Sequence, residues 1–155
     1  MNTSSLETRP SRATVVEVDT DIEHAPEEVF DYCSDPLNER EWNPRLRRVE
    51  KLTEGPAGLG TRYAMEFIAG HPMVVECVRF ERPAAWDLLG QSRPARFAWR
   101  GRVAPAGQGA HLALRVEMEA PLLLGFAMPF LARHLRRDLH RDIATIKRIL
   151  EGRQP

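Results

Sequence analysis

Residues 13–33 read ATVVEVDTDIEHAPEEVFDYC and join two different periodicities. In the first half, apolar or β-branched residues ending at Ile22 alternate with acidic ones, which predicts a half-buried strand over Ala13–Glu23. Pro26 then suits a first helical turn, and the two glutamates after it lie where a helix N-terminus favours negative charge. The segment therefore predicts a strand followed directly by a short helix.

The next signals predict a second short helix and then a sheet. Asp35-Pro36 repeats the helix start and predicts a helix over Leu37–Trp42, which Asn43-Pro44 ends. The pattern then changes to short, mostly alternating segments separated by turns that contain Gly or Pro. These segments predict six consecutive antiparallel strands over Arg48–Thr53, Thr61–Ile68, Met73–Glu81, Ala85–Gln91, Arg96–Ala104 and Ala110–Glu119.

The last part of the chain predicts one long amphipathic helix. From Leu131 onward, Leu and Ile recur at helical spacing with arginines on the opposite side, and the helix is expected to begin after Pro121 and end near Gly152. Pro129 predicts a kink or break inside it, because proline cannot donate to the carbonyl of Gly125. The order of elements predicts an α+β architecture in which the sheet covers the long helix.

Length and composition limit the class of protein. A chain of 155 residues suits one domain, and 43% apolar with 28% charged residues excludes a disordered or fibrous chain. The longest uncharged run, 120–132, is too short to span a bilayer, and the polar start of the chain lacks the apolar stretch of a secretory signal. We expect a flexible tail over residues 1–12, a single domain over 13–155 and a cytoplasmic location.

The charges and the metal-binding residue types exclude several partners. Twenty-two basic residues balance 22 acidic ones, so nucleic acid is not expected as a partner. Cys33 and Cys77 form no C-x-x-C motif and no two histidines have metal-ligand spacing, so neither metal nor cofactor is expected. Residues 1–50 are acidic and residues 133–155 are cationic, a polarity compatible with a homodimer or with contact to anionic lipid.

Five groups of residues match phrases typical of one superfamily. They are IEHAPEEVFDY at Ile22–Tyr32, DPLNEREWNP at Asp35–Pro44, VEKLTEGP at Val49–Pro56 with Gly58 and Gly60–Arg62, FERP at Phe80–Pro83, and the last helix with Arg136-Arg137 and IKRILE at Ile146–Glu151. In these phrases and in the order of its elements, the chain resembles the SRPBCC superfamily of START-like, helix-grip domains. Within that superfamily it resembles the polyketide cyclase/dehydrase and lipid-transport group, over nearly the whole chain after about residue 13.

This resemblance implies a curved seven-stranded antiparallel sheet wrapped around the long C-terminal helix, with two short helices after the first strand. It also implies a deep apolar cavity between sheet and helix. Strand alternation and helical spacing select most of the residues expected to bind a ligand there, with plain core packing as their alternative. The family's second-helix phrase adds Trp42, whose alternative is a wedge between the short helix and the sheet, and the uncharged segment at the start of the long helix adds Met128. These residues are Trp42, Tyr63, Met65, Phe67, Phe97, Trp99, Leu112, Leu114, Val116, Met118, Met128, Leu131 and Leu135.

The strand over Met73–Glu81 leaves its inward face undecided. One register turns Glu76 and its even-numbered neighbours inward, and the other turns Arg79 and its odd-numbered neighbours inward. Either register buries a charge unless a β-bulge intervenes. Whichever of the two charged residues is internal is the expected polar anchor of the cavity.

Asp142 is the acidic residue that departs most from the charge pattern of the long helix. On a helical wheel it falls beside Leu131 and Leu135 rather than with the arginines, where a carboxylate would be partly buried and would need a partner. The alternative interpretation puts it at the edge of the apolar stripe with His134 and Asp138.

Three functions fit these observations. The first is binding of a hydrophobic small molecule, such as a polyketide, lipid or aromatic compound. The second is a metal-free cyclase or dehydrase, in which Tyr63, His71 and either Glu76 or Arg79 polarise a carbonyl and move protons. The third is a protein- or membrane-interaction module that uses the cationic face of the helix.

Overall fold

Within residues 11–122 and 125–153, which the computed structural model describes, the chain forms seven β-strands, two α-helices and one 3-10 helix. The expected tail lies outside these residues except for Ser11 and Arg12, whose backbone already belongs to the first strand. The elements in chain order are β1 (Ser11–Ile22), α1 (Pro26–Cys33), the 3-10 helix (Pro36–Glu41), β2 (Leu46–Lys51), β3 (Arg62–Phe67), β4 (Met73–Glu81), β5 (Ala85–Ser92), β6 (Ala95–Ala106), β7 (Gly109–Pro121) and α2 (Met128–Gly152).

The strands form one antiparallel sheet in the order β1-β7-β6-β5-β4-β3-β2. The first strand pairs with the last along its whole length, from Ser11 opposite Pro121 to Ile22 opposite Ala110. The predicted α+β class and the curved, seven-stranded helix-grip architecture with two short helices after β1 are confirmed.

The strand faces that the alternation of residues predicted to face inward are buried in the structure. Tyr63 and Met65 of β3, Val103 of β6, and Leu112 and Val116 of β7 are all at most 5% exposed. These side chains pack with Phe30 of α1 and Ile146 of α2 in one core.

Neither Glu76 nor Arg79 of β4 takes the inward position, which corrects the expectation for this strand. Val75 and Cys77 are buried, Glu76 faces out, and the pairing with β5 then shifts register between Cys77 and Arg79. This bulge turns Arg79 outward and Phe80 inward against the core. The irregularity removes the buried charge that either regular register would have required.

Of the kink or break predicted near Pro129, the structure shows no kink within α2, and the helix instead begins just before this proline, as in the alternative of a buried helix start. The helix begins at Met128, so that proline occupies the first turn, where an N–H has no helical partner in any case. Gly125 to Ala127 form a turn before it.

The helices in the described residues include no candidate for a membrane-spanning segment, since none combines the length and the apolar character that a span requires.

The two ends of α2 are held differently. Near its C-terminal end, Glu151 accepts a hydrogen bond from the backbone N–H of Glu23 at 3.0 Å, and Arg153 donates to Glu41 Oε2 at 2.9 Å. Near its start, Phe130 is 80% exposed. The helix is therefore hydrogen-bonded to the end of β1 and to the 3-10 helix near its C-terminus, whereas its start is held by the apolar packing of Met128 with Met118 and Ala120.

Candidate functional site

A cavity of about 500 Å³ lies between the concave face of the sheet and α2. Strands β3 to β7 and α2 supply most of its wall, and the 3-10 helix and the turn between β3 and β4 supply the rest. The volume is within the range of small-molecule pockets, about 300–1,000 Å³. The described part of the fold therefore contains space for a ligand.

Most of the residues expected to bind a ligand lie on this wall. They are Trp42, Met65, Phe67, Phe97, Trp99, Leu114, Val116, Met118, Leu131 and Leu135. Leu112 and Met128 are buried in the packing around the cavity and do not line it. The wall also includes Trp86, so all three tryptophans of the chain face the cavity.

Tyr63 is buried behind the wall. It is 1% exposed, and its hydroxyl donates to Asp35 Oδ1 at 3.4 Å. Burial, followed by the nearby Asp35 carboxylate, raises the pKa of this phenol, so that it remains protonated at neutral pH.

Glu76 and Arg79 both lie outside the cavity. Glu76 borders an open hollow of about 560 Å³ on the outer face of the sheet, where Val74 and Leu89 are 43% and 44% exposed. Arg79 forms a bidentate pair with Glu81 at 2.8 and 2.9 Å. Strand alternation turns Glu76 outward between buried Val75 and Cys77, and the register shift after Cys77 turns Arg79 outward as well.

His71 lies at the edge of the cavity, in the turn between β3 and β4, and is exposed. Of the three groups expected to carry catalysis, it alone lines the cavity. The structure therefore does not bring Tyr63, His71 and Glu76 together.

A different polar group lines the cavity on the side of the 3-10 helix. Glu39 Oε1 accepts a hydrogen bond from Asn43 Nδ2 at 2.6 Å, and Asn43 Oδ1 accepts one from the backbone N–H of Arg45 at 3.1 Å. This places the guanidinium of Arg45 against α2, where it donates to Asp142 Oδ2 and lies 2.9 Å from Asp138 Oδ2. We call Glu39, Asn43, Arg45, Asp138 and Asp142 the polar end of the cavity; each of them lines it.

Two buried polar atoms on the cavity wall have no hydrogen-bond partner among the described residues. They are Asp142 Oδ1 and Trp42 Nε1. Asp142 is 1% exposed, so water does not cover its free oxygen from outside the fold. Because buried polar atoms in proteins are almost always paired, this acceptor and this donor indicate a place for a ligand or for internal water.

The family comparison agrees with this geometry. A family model described as polyketide cyclase / dehydrase and lipid transport matches residues 13–151. The chain belongs to this family. It therefore has the ligand-binding helix-grip fold of the SRPBCC superfamily.

Solved structures of members of this fold are similar in shape and distant in sequence. Norcoclaurine synthase from Thalictrum flavum is 12% identical with a TM-score of 0.72, over 96% of this chain and 100% of that one. The protein TTHA0849 from Thermus thermophilus is 15% identical with a TM-score of 0.72, over 87% of this chain and 95% of that one. At these identities the likeness shows the fold alone.

A curated relative matches a shorter region. UDP-N-acetylglucosamine 1-carboxyvinyltransferase of Thermus thermophilus, from two strains, is 39% identical over 66 residues. The match spans 43% of this chain and 15% of the transferase.

The polar end of this family member holds two carboxyl groups with raised pKa values. Burial raises the pKa of Asp142 to about 6 although Arg45 opposes the rise. Burial also raises the pKa of Glu39 to about 7, with the hydrogen bond from Asn43 opposing and the charge of Asp142 adding to the rise. Both carboxyls can therefore exchange a proton near neutral pH.

The cavity thiol is unsuited to nucleophilic chemistry. Cys33 lines the cavity, and burial raises its pKa to about 12, which keeps it protonated. Within the described residues, no group of three or more His, Cys, Asp and Glu side chains has the arrangement of a metal site.

Two members of the polar end can be identified from the sequence: the helical wheel marks Asp142 and places Asp138 beside it. The partner of Asp142 is Arg45, which lies 97 positions earlier and which the sequence does not indicate. Glu39 and Asn43 carry a signal of their own, since they lie four residues apart in the second-helix phrase. Arg45 follows Asn43-Pro44 in the short connection before β2, where no periodicity predicts the direction of its side chain.

Proposed function

We propose that this protein binds a hydrophobic small molecule, of the polyketide, lipid or aromatic class, in the cavity between the sheet and α2. The observation that carries the proposal is a cavity of about 500 Å³ whose wall is mostly aromatic and aliphatic. Large apolar pockets with a few polar groups are typical of small-molecule sites. The compartment proposed for this activity is the cytoplasm, in keeping with two free, buried cysteines.

Neighbouring valines on β4 provide a matched test. Val75 is fully buried and lines the cavity, whereas Val74 faces the outer hollow. Val75→Phe is expected to weaken binding of an environment-sensitive apolar dye at least about fivefold by filling the cavity, and Val74→Phe to leave it within about twofold. Native mass spectrometry of the purified protein would identify any ligand that it retains. Equal dye affinity in both variants, with both folded by circular dichroism, would contradict the proposal.

Catalysis of the ring-closing and dehydrating kind is the second candidate. It is favoured by Asp142 and Glu39, whose carboxyls line the same cavity with pKa values of about 6 and 7. In an aldol cyclisation, ionised Asp142 would take the proton from a carbon between two carbonyls, and protonated Glu39 would donate to the attacked carbonyl oxygen. In the dehydration, Asp142 would return its proton to the resulting hydroxyl, which leaves as water, while ionised Glu39 takes the second proton of the carbon between the two carbonyls as the C=C bond forms, so that both carboxyls return to their starting states.

A poly-carbonyl substrate tests this candidate. We expect Glu39→Gln to lower the rate of cyclisation about 100-fold while leaving substrate affinity within about threefold. Glu76→Gln on the outer face is the control and should retain the full rate. Equal rates in the two variants would exclude the catalytic role of Glu39.

Contact with an anionic membrane is the third candidate. Phe126 and Phe130 are 82% and 80% exposed beside the start of α2, and Arg133, Arg136 and Arg137 follow them on exposed positions. Exposed aromatic rings next to arginines suit a bilayer interface with acidic headgroups. The double variant Phe126→Ser with Phe130→Ser should abolish flotation with anionic vesicles, and high salt should weaken it in the wild type. Flotation that is unaffected by the double substitution and by high salt would contradict membrane contact.

A homodimer joined through the acidic first third and the cationic last helix is a further proposal. Some of the charge that it would need is used within the chain, for example between Arg115 and Glu17 at 3.0 Å and between Arg82 and Asp31 at 2.7 Å. Sedimentation velocity at low and high salt would distinguish a monomer from such a dimer.

A further inference from the structure

We propose that the polar end of the cavity is a subsite for the neutral hydroxyl-bearing head of an amphipathic ligand, with Asp142 Oδ1 accepting from that hydroxyl. This inference rests on the proposed function and adds a ligand class to it. It selects phenols, alcohols and hydroxylated polyketides over fatty acids and other carboxylates.

Asp142 supplies a free hydrogen-bond acceptor on the cavity wall. Asp142 is 1% exposed, its Oδ2 is bonded to Arg45, and its Oδ1 has no partner in the described part of the chain. A carboxylate oxygen that is buried without a donor costs free energy, which a ligand O–H can recover. The residue lines the cavity, so the donor can come from a bound molecule.

Trp42 supplies a free hydrogen-bond donor on the same wall. Trp42 Nε1 is buried and unpartnered among the described residues, and Trp42 lines the same cavity. Trp42 directly precedes Asn43, whose amide is bonded to Glu39 in the polar end. An alcohol or phenol oxygen can both donate and accept, so a hydroxylated head can satisfy donors and acceptors together.

The excess of carboxyls in the polar end disfavours an anionic head group. Three carboxyls, those of Glu39, Asp138 and Asp142, belong to the polar end, and one cation, Arg45, bonds two of them. His134 also lines the cavity but is exposed, and Arg141 acts on Asp142 only through its charge. A ligand carboxylate would meet like charge in a poorly hydrated place. A neutral hydroxyl avoids that repulsion.

The test uses three bicyclic aromatic probes that differ only in the head group: naphthalene, 2-naphthol and 2-naphthoate. Equilibrium dialysis at about pH 8 gives their affinities while Glu39 and Asp142 are mostly ionised. In the wild type we expect 2-naphthol to bind about 30-fold more tightly than 2-naphthoate. Equal affinity for the two would overturn the inference.

Asp142→Asn sharpens the test, because an amide next to Arg45 turns its oxygen to the guanidinium and its NH₂ to the cavity. The free acceptor then becomes a donor and the negative charge is lost. We expect the ratio of 2-naphthol to 2-naphthoate affinity to fall from about 30 to below about 3, while naphthalene stays within about twofold. An unchanged ratio in a folded variant would overturn the inference.

Two further variants keep the result interpretable. Leu135→Ala removes apolar wall and should weaken all three probes by similar factors, leaving the ratio unchanged. If Asp142→Asn does not fold, Trp42→Phe removes the free N–H and should cost 2-naphthol about threefold more than naphthalene; an equal cost would count against the subsite. Binding of naphthalene with no preference between the polar probes would refute the subsite alone, whereas no binding of any probe would refute the proposed function as well.

Discussion

Two regions of the cavity are stabilised in different ways. One is the strand wall, formed by inward side chains of β3 to β7 such as Trp86, and the other is the polar end around Asp142. The indole of Trp86 packs edge to face on Phe30 at 5.4 Å between ring centres and lies over Gly101, where any Cβ would collide with the ring. Asp142 instead depends on one guanidinium, that of Arg45. Truncating a side chain of the strand wall leaves a void, and the loss of stability is independent of pH. Truncating Arg45 in the polar end leaves a buried carboxylate without its cation, and that loss of stability disappears when the carboxylate is protonated.

Trp86→Ala should have the largest effect on stability. The side chain is 3% exposed, and its removal should lower the free energy of unfolding by about 3–5 kcal/mol, equally at about pH 5 and about pH 8. Urea unfolding at the two pH values measures this. Leu89→Ala on the outer face of the same strand is the control and should cost less than about 1 kcal/mol. A loss for Trp86→Ala that depended strongly on pH would break the distinction between the two regions.

Arg45→Leu should come next and should depend on pH. Without the guanidinium, Asp142 and Asp138 lose their bonded cation, which we expect to cost about 2–3 kcal/mol at about pH 8, after allowance for the partial exposure of Arg45. The pKa of Asp142 is already raised to about 6, so at about pH 5 the carboxyl is protonated and the loss should shrink.

The neighbouring Arg47→Leu is the matched control for this substitution. The side chain of Arg47 is 71% exposed and lies 3.6 Å from Glu66. Its replacement should change stability by less than about 0.5 kcal/mol at either pH. An equal loss for Arg45→Leu at both pH values would show that packing, and not charge, accounts for its role.

Glu39→Gln should change the slope of stability against pH. Burial raises the folded pKa of Glu39 to about 7, while Asn43, Arg45 and the Asp142 carboxyl act on it. The folded state therefore binds more protons than the unfolded state between about pH 4.5 and 7, and this contribution to stability is lost as pH rises through that window. The glutamine variant should lack this slope and gain about 1 kcal/mol relative to the wild type by about pH 8, less than the roughly 3 kcal/mol of the full pKa difference, because Glu39 is partly exposed and glutamine loses the charged hydrogen bond to Asn43. Glu50→Gln, at an exposed site, should retain the wild-type slope.

Glu76→Gln should have the smallest effect. The carboxyl faces the outer hollow, so the substitution should change the free energy of unfolding by less than about 0.5 kcal/mol and leave probe affinity within about 1.5-fold. Thermal unfolding and dialysis of 2-naphthol measure both. Loss of probe binding here would show that the outer hollow contributes to the site.

The strand wall could be predicted from the sequence because its geometry is local. Successive side chains of a strand point to opposite faces, so Met65, Trp99 and Val116 followed from alternation, and Leu135 followed from helical spacing. The bulge in β4 could not be predicted in this way. It depends on how Cys77 and Arg79 pair with the next strand, and it allows Arg79 to face outward in the same strand that turns Glu76 outward.

The polar end could be predicted only in part because its contacts are long-range. A helical wheel marks Asp142 as facing inward, but nothing local in the sequence identifies Arg45 as its partner. Trp42 was expected on the wall from the family phrase, whereas its unpartnered N–H becomes visible only when the surrounding side chains are placed. The apolar wall of the cavity thus follows from strand and helix periodicity, whereas the hydrogen-bonding groups of its polar end depend on tertiary contacts.

The hydrogen bonds that hold α2 at its C-terminal end have a mechanical consequence. Glu151 and Arg153 form a pivot against the end of β1 and the 3-10 helix, and the helix from Glu151 back to Met128 is about 35 Å long at 1.5 Å per residue. A rotation of about 5° about this pivot would move the tip by about 3 Å, close to the thickness of an aromatic ring. Such a tilt would admit a flat molecule to the cavity without breaking a strand pair, and the contact that it would loosen is the packing of Met128 with Met118 and Ala120.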